Sequence, residues 1–138
     1  MNPSEELKKI MLRFYQSMTS GDISVVDLLF SRQLGVLAIG SDPNEWWEGY
    51  GMITRVFKEQ FQEMGGAEMK AGEINAFVEG TVGWVVDHPT LHLPNGQVVA
   101  FRGTVVFHNE DGEWKIVHTH HSIGVPNEDI VGKELTTK

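Results

Sequence analysis

The stretch Thr104-Val-Val-Phe-His-Asn-Glu-Asp-Gly-Glu-Trp-Lys-Ile-Val-His-Thr-His-His-Ser122 decides the fold. Alternating apolar residues on either side of Asp111-Gly112 describe two β-strands joined by a two-residue turn. The second strand runs through Trp114, Ile116 and Val117 into a group of histidines. Upstream, from about residue 71, the same period of two recurs in 74–79, 82–87 and 98–108, with Asn95-Gly96 as a second hairpin signal.

Before residue 71 the period is helical. Leu7, Ile10, Met11, Phe14 and Met18 recur at i, i+3 and i+4, with Ser4 placed to cap and Glu5 and Glu6 in the first turn. Gly21-Asp22 ends that helix and begins a shorter one carrying Ile23, Val26, Leu29 and Phe30. A strand-like run, Val36–Ile39, precedes a loop spanning 41–49. A third helix then carries Ile53, Val56, Phe57, Phe61 and Met64, stopped by Gly65-Gly66. Helices followed by an antiparallel meander predict an α+β domain with the helices on one sheet face. Residues 1–138 are expected to form one domain, with 124–138 a polar tail.

Composition narrows the function classes. The chain has 138 residues, 41% hydrophobic and 22% charged, with a net charge of −8 and no cysteine. The acidic balance, with no basic cluster, argues against nucleic acid or an anionic membrane as partner. Without cysteine there is no disulfide, thiolate chemistry or Cys-type zinc site. No apolar run approaches the roughly 20 residues of a membrane span, and no secretion signal opens the chain, so a cytoplasmic location is expected. Phosphate loops, dinucleotide fingerprints and nucleophile elbows are missing, so no cofactor is assigned.

Two-residue turns at both hairpins would set Asp87 opposite Thr104 and Arg102 opposite His121. Alternation then sorts Val85, Asp87, Arg102, Thr104, Thr119 and His121 onto one face, and Trp84, Val105, Phe107, Ile116, His118 and His120 onto the other. The first set suits a pocket, with a few polar groups among small aliphatics. The second, aromatic set suits a dimer interface.

Three residues are the catalytic candidates. Arg102 would hold an anionic or carbonyl oxygen, His121 would exchange a proton near neutrality, and Asp87 would orient it. The plain alternative is a structural Asp–Arg pair beside a surface histidine. Tyr15, Trp46, Trp47, Phe57, Phe61, Thr104 and His120 are the candidate ligand contacts, the tryptophans equally suited to plugging the core. His88, His118, His120 and His121 lack a complete ligand set, and no metal is assigned.

Three motifs carry a family resemblance: Asp42-Pro-Asn-Glu-Trp-Trp-Glu-Gly49, Val82-Gly-Trp84 and Asp111–Ser122. Together they resemble the SnoaL-like domains of the nuclear transport factor 2-like, or ketosteroid isomerase-like, superfamily. The resemblance implies a cone: a curved antiparallel sheet wrapped against three N-terminal helices (a cystatin-like roll), commonly as a homodimer. It implies a small organic ligand, handled by cofactor-free isomerase, cyclase or dehydratase chemistry on a carbonyl compound. A ligand sensor or an assembly module is equally compatible with the scaffold. Ketosteroid isomerase has a proton-donating acid at the position matching Thr104, which a threonine does not replace. The calcium/calmodulin-dependent kinase association domain has arginines matching Val105 and His121, so that ligand preference does not carry over.

Overall fold

The computed structural model describes residues 1–138. Helix α1 (Glu5–Ser20) starts where Ser4 Oγ accepts the Leu7 N–H at 3.2 Å. It stops at Gly21, whose left-handed φ of 74° lets its N–H reach the Ser17 carbonyl. Leu7, Met11 and Phe14 on its apolar stripe are buried. Helix α2 (Ser24–Leu29) is short, and α3 (Tyr50–Glu63) follows two strands rather than the other helices. The expected helical layer is thus interleaved with the sheet in the chain order.

Ten strands form two sheets. The main sheet runs β1 (Asn2–Pro3), β5 (Asn75–Glu79), β6 (Val82–Asp87), β9 (Arg102–Glu110), β10 (Glu113–Ser122), β2 (Leu37–Ile39) and β3 (Trp46–Glu48). All neighbours are antiparallel except β2, which lies parallel to β10. A smaller sheet joins β4 (Glu68–Lys70), β7 (Thr90–His92) and β8 (Val98–Ala100). Trp46-Trp47-Glu48, expected in a loop, is an edge strand. The tail contains a short exposed helix, α4 (Asn127–Val131). No helix is long and apolar enough to cross a membrane.

The register differs from the expectation at two points. Asp111 and Gly112 have φ of 54° and 89°, as a two-residue turn requires, and the pairing begins as expected with Trp114 opposite Asn109. A bulge between Ile116 and His118 then adds one residue to β10. At the other hairpin the Leu93 N–H bonds the Gln97 carbonyl at 2.9 Å, so Pro94-Asn95-Gly96 is a three-residue loop. That loop, with Gly96 at φ 88°, connects β7 to β8 rather than β6 directly to β9. Asp87 therefore faces Gly103, and Gly103 faces His121.

A one-residue shift turns a strand's side chains over. Val105 and Phe107 point into the core, and Arg102, Thr104 and Val106 lie on the convex side. The expected pocket face thus keeps Val85, Asp87, Thr119 and His121 but loses Arg102 and Thr104, and the expected aromatic face loses Val105, Phe107 and Ile116 to the core. The concave face presents Val85, Asp87, Gly103, Val105, Phe107, Ile116 and Thr119 to the helices, all buried. Phe57 is the hub of the aromatic core, with ring centroids 6.0 Å from Phe14, 5.4 Å from Phe30 and 5.8 Å from Trp47. Tilted and edge-to-face contacts of this kind add about 0.5–1.5 kcal/mol per pair beyond the area they bury.

Candidate functional site

Tyr15 sits one position off the apolar stripe of α1, and its side chain crosses to the sheet. Its hydroxyl donates to Asp87 Oδ2 at 2.9 Å. Asp87, at the end of β6, is buried and accepts two further hydrogen bonds: Gly72 N–H to Oδ2 at 3.3 Å and His88 N–H to Oδ1 at 2.8 Å. The Gly72 loop comes so close that a Cβ there would stand 2.5 Å from the His88 carbonyl oxygen and 2.9 Å from Asp87 Oδ1. Burial first, then the Asp87 charge and the hydrogen bond to it, raise the Tyr15 pKa far above its ordinary range. Tyr15 is therefore a neutral phenol whose proton is committed to Asp87.

Across the sheet, His121 occupies the third place in the row Asp87–Gly103–His121. Its ring lies over Gly103, in the space a side chain there would take, and makes no hydrogen bond within the protein. Burial lowers its pKa to about 4, assisted by neighbouring His120 and opposed by Asp87. At neutral pH it is an uncharged imidazole with one donor and one acceptor nitrogen.

Tyr15 and His121 both line a half-open cavity of about 300 Å³ between α1, α3 and the sheet. This is at the lower end of the size range for small-molecule sites. Phe14, Met18, Trp47, Phe57, Leu91 and Phe101 make its apolar walls. On the solvent side stand Glu45, Gln60 and Glu63, with Gln60 Nε2 donating to Glu45 Oε2 at 2.9 Å.

The structure brings together Tyr15, Trp47, Phe57 and His121 at this cavity, with Asp87 directly behind Tyr15. Phe61 packs in the core beside Phe14 and Phe57 rather than against the cavity. Trp46 is 59% exposed on the outer side of β3. Arg102 and Thr104 are corrected to the convex face by the register, and the candidate contact His120 lies there too, on the face the alternation expected for it, in a groove with His88 and His118. There Arg102 Nε donates to Ser122 Oγ at 3.3 Å, and no ion pair or hydrogen bond joins it to Asp87 or His121. His118 Nδ1 lies 2.8 Å from the Leu37 carbonyl, and no three His, Asp or Glu side chains gather as a metal-binding set.

Sequence reasoning missed Glu45, Gln60, Gly72 and Gly103. Gly103 had a signal: a glycine inside a strand marks close approach of another group. Glu45 lay within the flagged 42–49 motif but drew no role.

The fold and this cavity define a cone-shaped domain of the nuclear transport factor 2-like, cystatin-like type. The family model described as a SnoaL-like domain matches residues 7–126, and the chain belongs to that family. Among solved structures, a nuclear transport factor 2-like protein of unknown function from Pseudomonas putida KT2440 superposes with a TM-score of 0.80 at 16% identity, covering 96% of this chain and 93% of that one. A proposed dehydratase of the same family from Streptomyces avermitilis gives 0.77 at 18% identity, covering 88% and 95%. A proposed calcium/calmodulin-dependent protein kinase II association domain from Xanthomonas campestris gives 0.70 at 16%, covering 90% and 95%. At these identities the likeness is one of fold. No curated protein matches the chain in sequence.

Proposed function

We propose that this chain binds a small, largely apolar carbonyl compound in the cone and moves a proton on it without a cofactor, as an isomerase, cyclase or dehydratase does. The observation that carries this reading is the Tyr15–Asp87 hydrogen bond at the cavity wall, beside an unpartnered, neutral His121. Asp87 does not itself line the cavity, so its basicity reaches a ligand through Tyr15. A proton leaving the carbon next to the carbonyl passes to Tyr15 Oη as the phenol proton passes to Asp87. The C–H electron pair moves onto the carbonyl oxygen, and the His121 N–H stabilises the resulting enolate. Returning the proton at another carbon completes an isomerisation; expelling a β-hydroxyl as water completes a dehydration.

The test begins with native mass spectrometry of freshly purified protein, to find and release any co-purifying molecule. Deuterium exchange of 4-phenyl-2-butanone in D₂O then tests the proton transfer. The protein is expected to speed exchange next to the carbonyl, with the acceleration lost in Tyr15→Phe and Asp87→Asn. Exchange as fast in both variants as in the wild type, or no acceleration by the wild type, would sink the catalytic reading.

Self-association is a second reading favoured by the convex face. Phe77 and Trp84 stack there with centroids 6.2 Å apart, and Val82 and Val86 are each 41% exposed. A second copy of this chain would cover them. Sedimentation should show a dimer that Trp84→Lys dissociates; a wild-type monomer at micromolar concentration would rule this out.

A further inference from the structure

The charge and hydrogen-bond inventory of the cavity restricts what it can hold. No lysine or arginine lines it. Glu45 and Glu63 do, and neither carboxylate has a cationic partner in the protein. Glu45 is held in place: Oε1 accepts the Asp42 N–H at 2.9 Å and Oε2 accepts Gln60 Nε2 at 2.9 Å. Each oxygen keeps a lone pair, because a carboxylate offers about four acceptor sites. Gly40 makes the room, since a Cβ there would meet Glu45 side-chain atoms at 2.8 Å.

Donors are scarce by comparison. Tyr15 spends its proton on Asp87 and shows the cavity only an acceptor oxygen. The remaining side-chain donors are the Trp47 indole N–H, one His121 N–H, the Ser41 hydroxyl and the second amide hydrogen of Gln60, all of them uncharged. A ligand carboxylate or phosphate would find no cation and would face two carboxylates. An ammonium group would find Glu45 in a cavity whose walls include Trp47 and Phe57, and aromatic rings attract cations as well. The net charge of −8 draws cations toward the protein from a distance.

We infer that the ligand of this cavity is a small cationic amine with an apolar, ring-sized body, its ammonium at Glu45 and its carbonyl or hydroxyl oxygen toward His121. This rests on the cavity-binding reading above and adds the charge class of the ligand.

The experiment is a protein-observed NMR titration with three probes of nearly equal size: 2-phenylethylamine, 2-phenylethanol and phenylacetate. Shifts at the Trp47 indole and His121 locate binding in the cone. The amine is expected to bind about tenfold more tightly than the alcohol, and phenylacetate more weakly than both. Glu45→Gln should bring the amine-to-alcohol ratio toward one, and Glu63→Gln, at an exposed position, should lower it in part. Phenylacetate binding as tightly as the amine, equal affinity of amine and alcohol, or a ratio untouched by both variants would overturn the charge class and leave the cavity reading standing. Absence of shifts at Trp47 and His121 with all three probes would overturn the cavity reading and this inference together.

Discussion

The imidazole of His121 fills the space that a side chain at Gly103 would need: a Cβ there would lie 2.7 Å from both Cδ2 and Nε2 of the ring. Glycine at 103 is therefore the condition for His121 to lean over β9 toward Asp87. Gly103→Ala should expel the ring from the cavity wall. The His121 pKa should then rise toward the ordinary 6.5 as water reaches it, and stability should fall by about 1–3 kcal/mol. NMR titration of the His121 ring protons checks the first effect and urea unfolding the second. An unchanged titration in Gly103→Ala would show that the glycine does not hold the ring in place.

His121 also makes stability depend on pH in a definite direction. Its folded pKa is about 4, against an ordinary value of 6.5. Between those values the unfolded chain takes up a proton that the folded chain refuses, so stability drops as pH falls from about 6.5 to about 4. The loss attributable to this one group is up to about 3 kcal/mol. Carboxylates titrate in part of the same window, so the measurement is a comparison. Urea midpoints of wild type and His121→Gln, taken at pH 7, 5.5 and 4.5, should converge as the pH is lowered.

Tyr15 sets the opposite limb. Its folded pKa is raised above the ordinary 10.0, so its contribution is complete below pH 10 and is lost as pH climbs beyond it, when the unfolded phenol ionises and the folded one does not. Tyr15→Phe should remove that alkaline slope. At pH 7 it should cost about 1–3 kcal/mol, because buried Asp87 loses one of its three donors. Denaturation at pH 8 and pH 11 reads both effects, and equal alkaline slopes in the two proteins would refute the assignment.

These residues also show where the sequence stopped being readable. Ser4, Gly21 and Asp111-Gly112 act on backbone groups within a few residues, and local signals of that kind translate directly into caps and turns. The bulge after Ile116 and the third residue in the 94–96 loop leave no such trace, because Asn-Gly suits two- and three-residue hairpins alike. Each added a single residue. The two shifts share one parity, which is why Asp87 and His121 still lie on a common face while Arg102 and Thr104, between them, turned outward. Pairing Tyr15 with Asp87, 72 positions apart, required the packing of α1 on the sheet and was not available from periodicity.

Thr119 tests the packing of the concave face. Its side chain is 1% exposed, and Oγ1 has no hydrogen-bond partner. Thr119→Val keeps the shape and removes the stranded hydroxyl, so it should stabilise the fold by about 1 kcal/mol in chemical denaturation. A loss of stability instead would mean that the hydroxyl has a partner in solution.

Trp46 and Trp47 are adjacent on β3 and point to opposite sides, one 59% exposed and the other 8%. Their fates on substitution should therefore diverge. Trp47→Ala removes a cavity wall and the edge contact with Phe57 at 5.8 Å, and large-to-small changes of this kind cost about 3–5 kcal/mol. It should also abolish whatever ligand binding the protein shows, since the ring bounds the space the ligand occupies. Trp46→Ala should change stability by less than about 0.5 kcal/mol and leave the ligand affinity of the cone as it was. Thermal unfolding of both variants, followed by the NMR titration with 2-phenylethylamine, separates the two. A Trp46 variant that lost binding would mean that the ligand lies outside the cone, against the edge strand, and that the 300 Å³ cavity is only packing space.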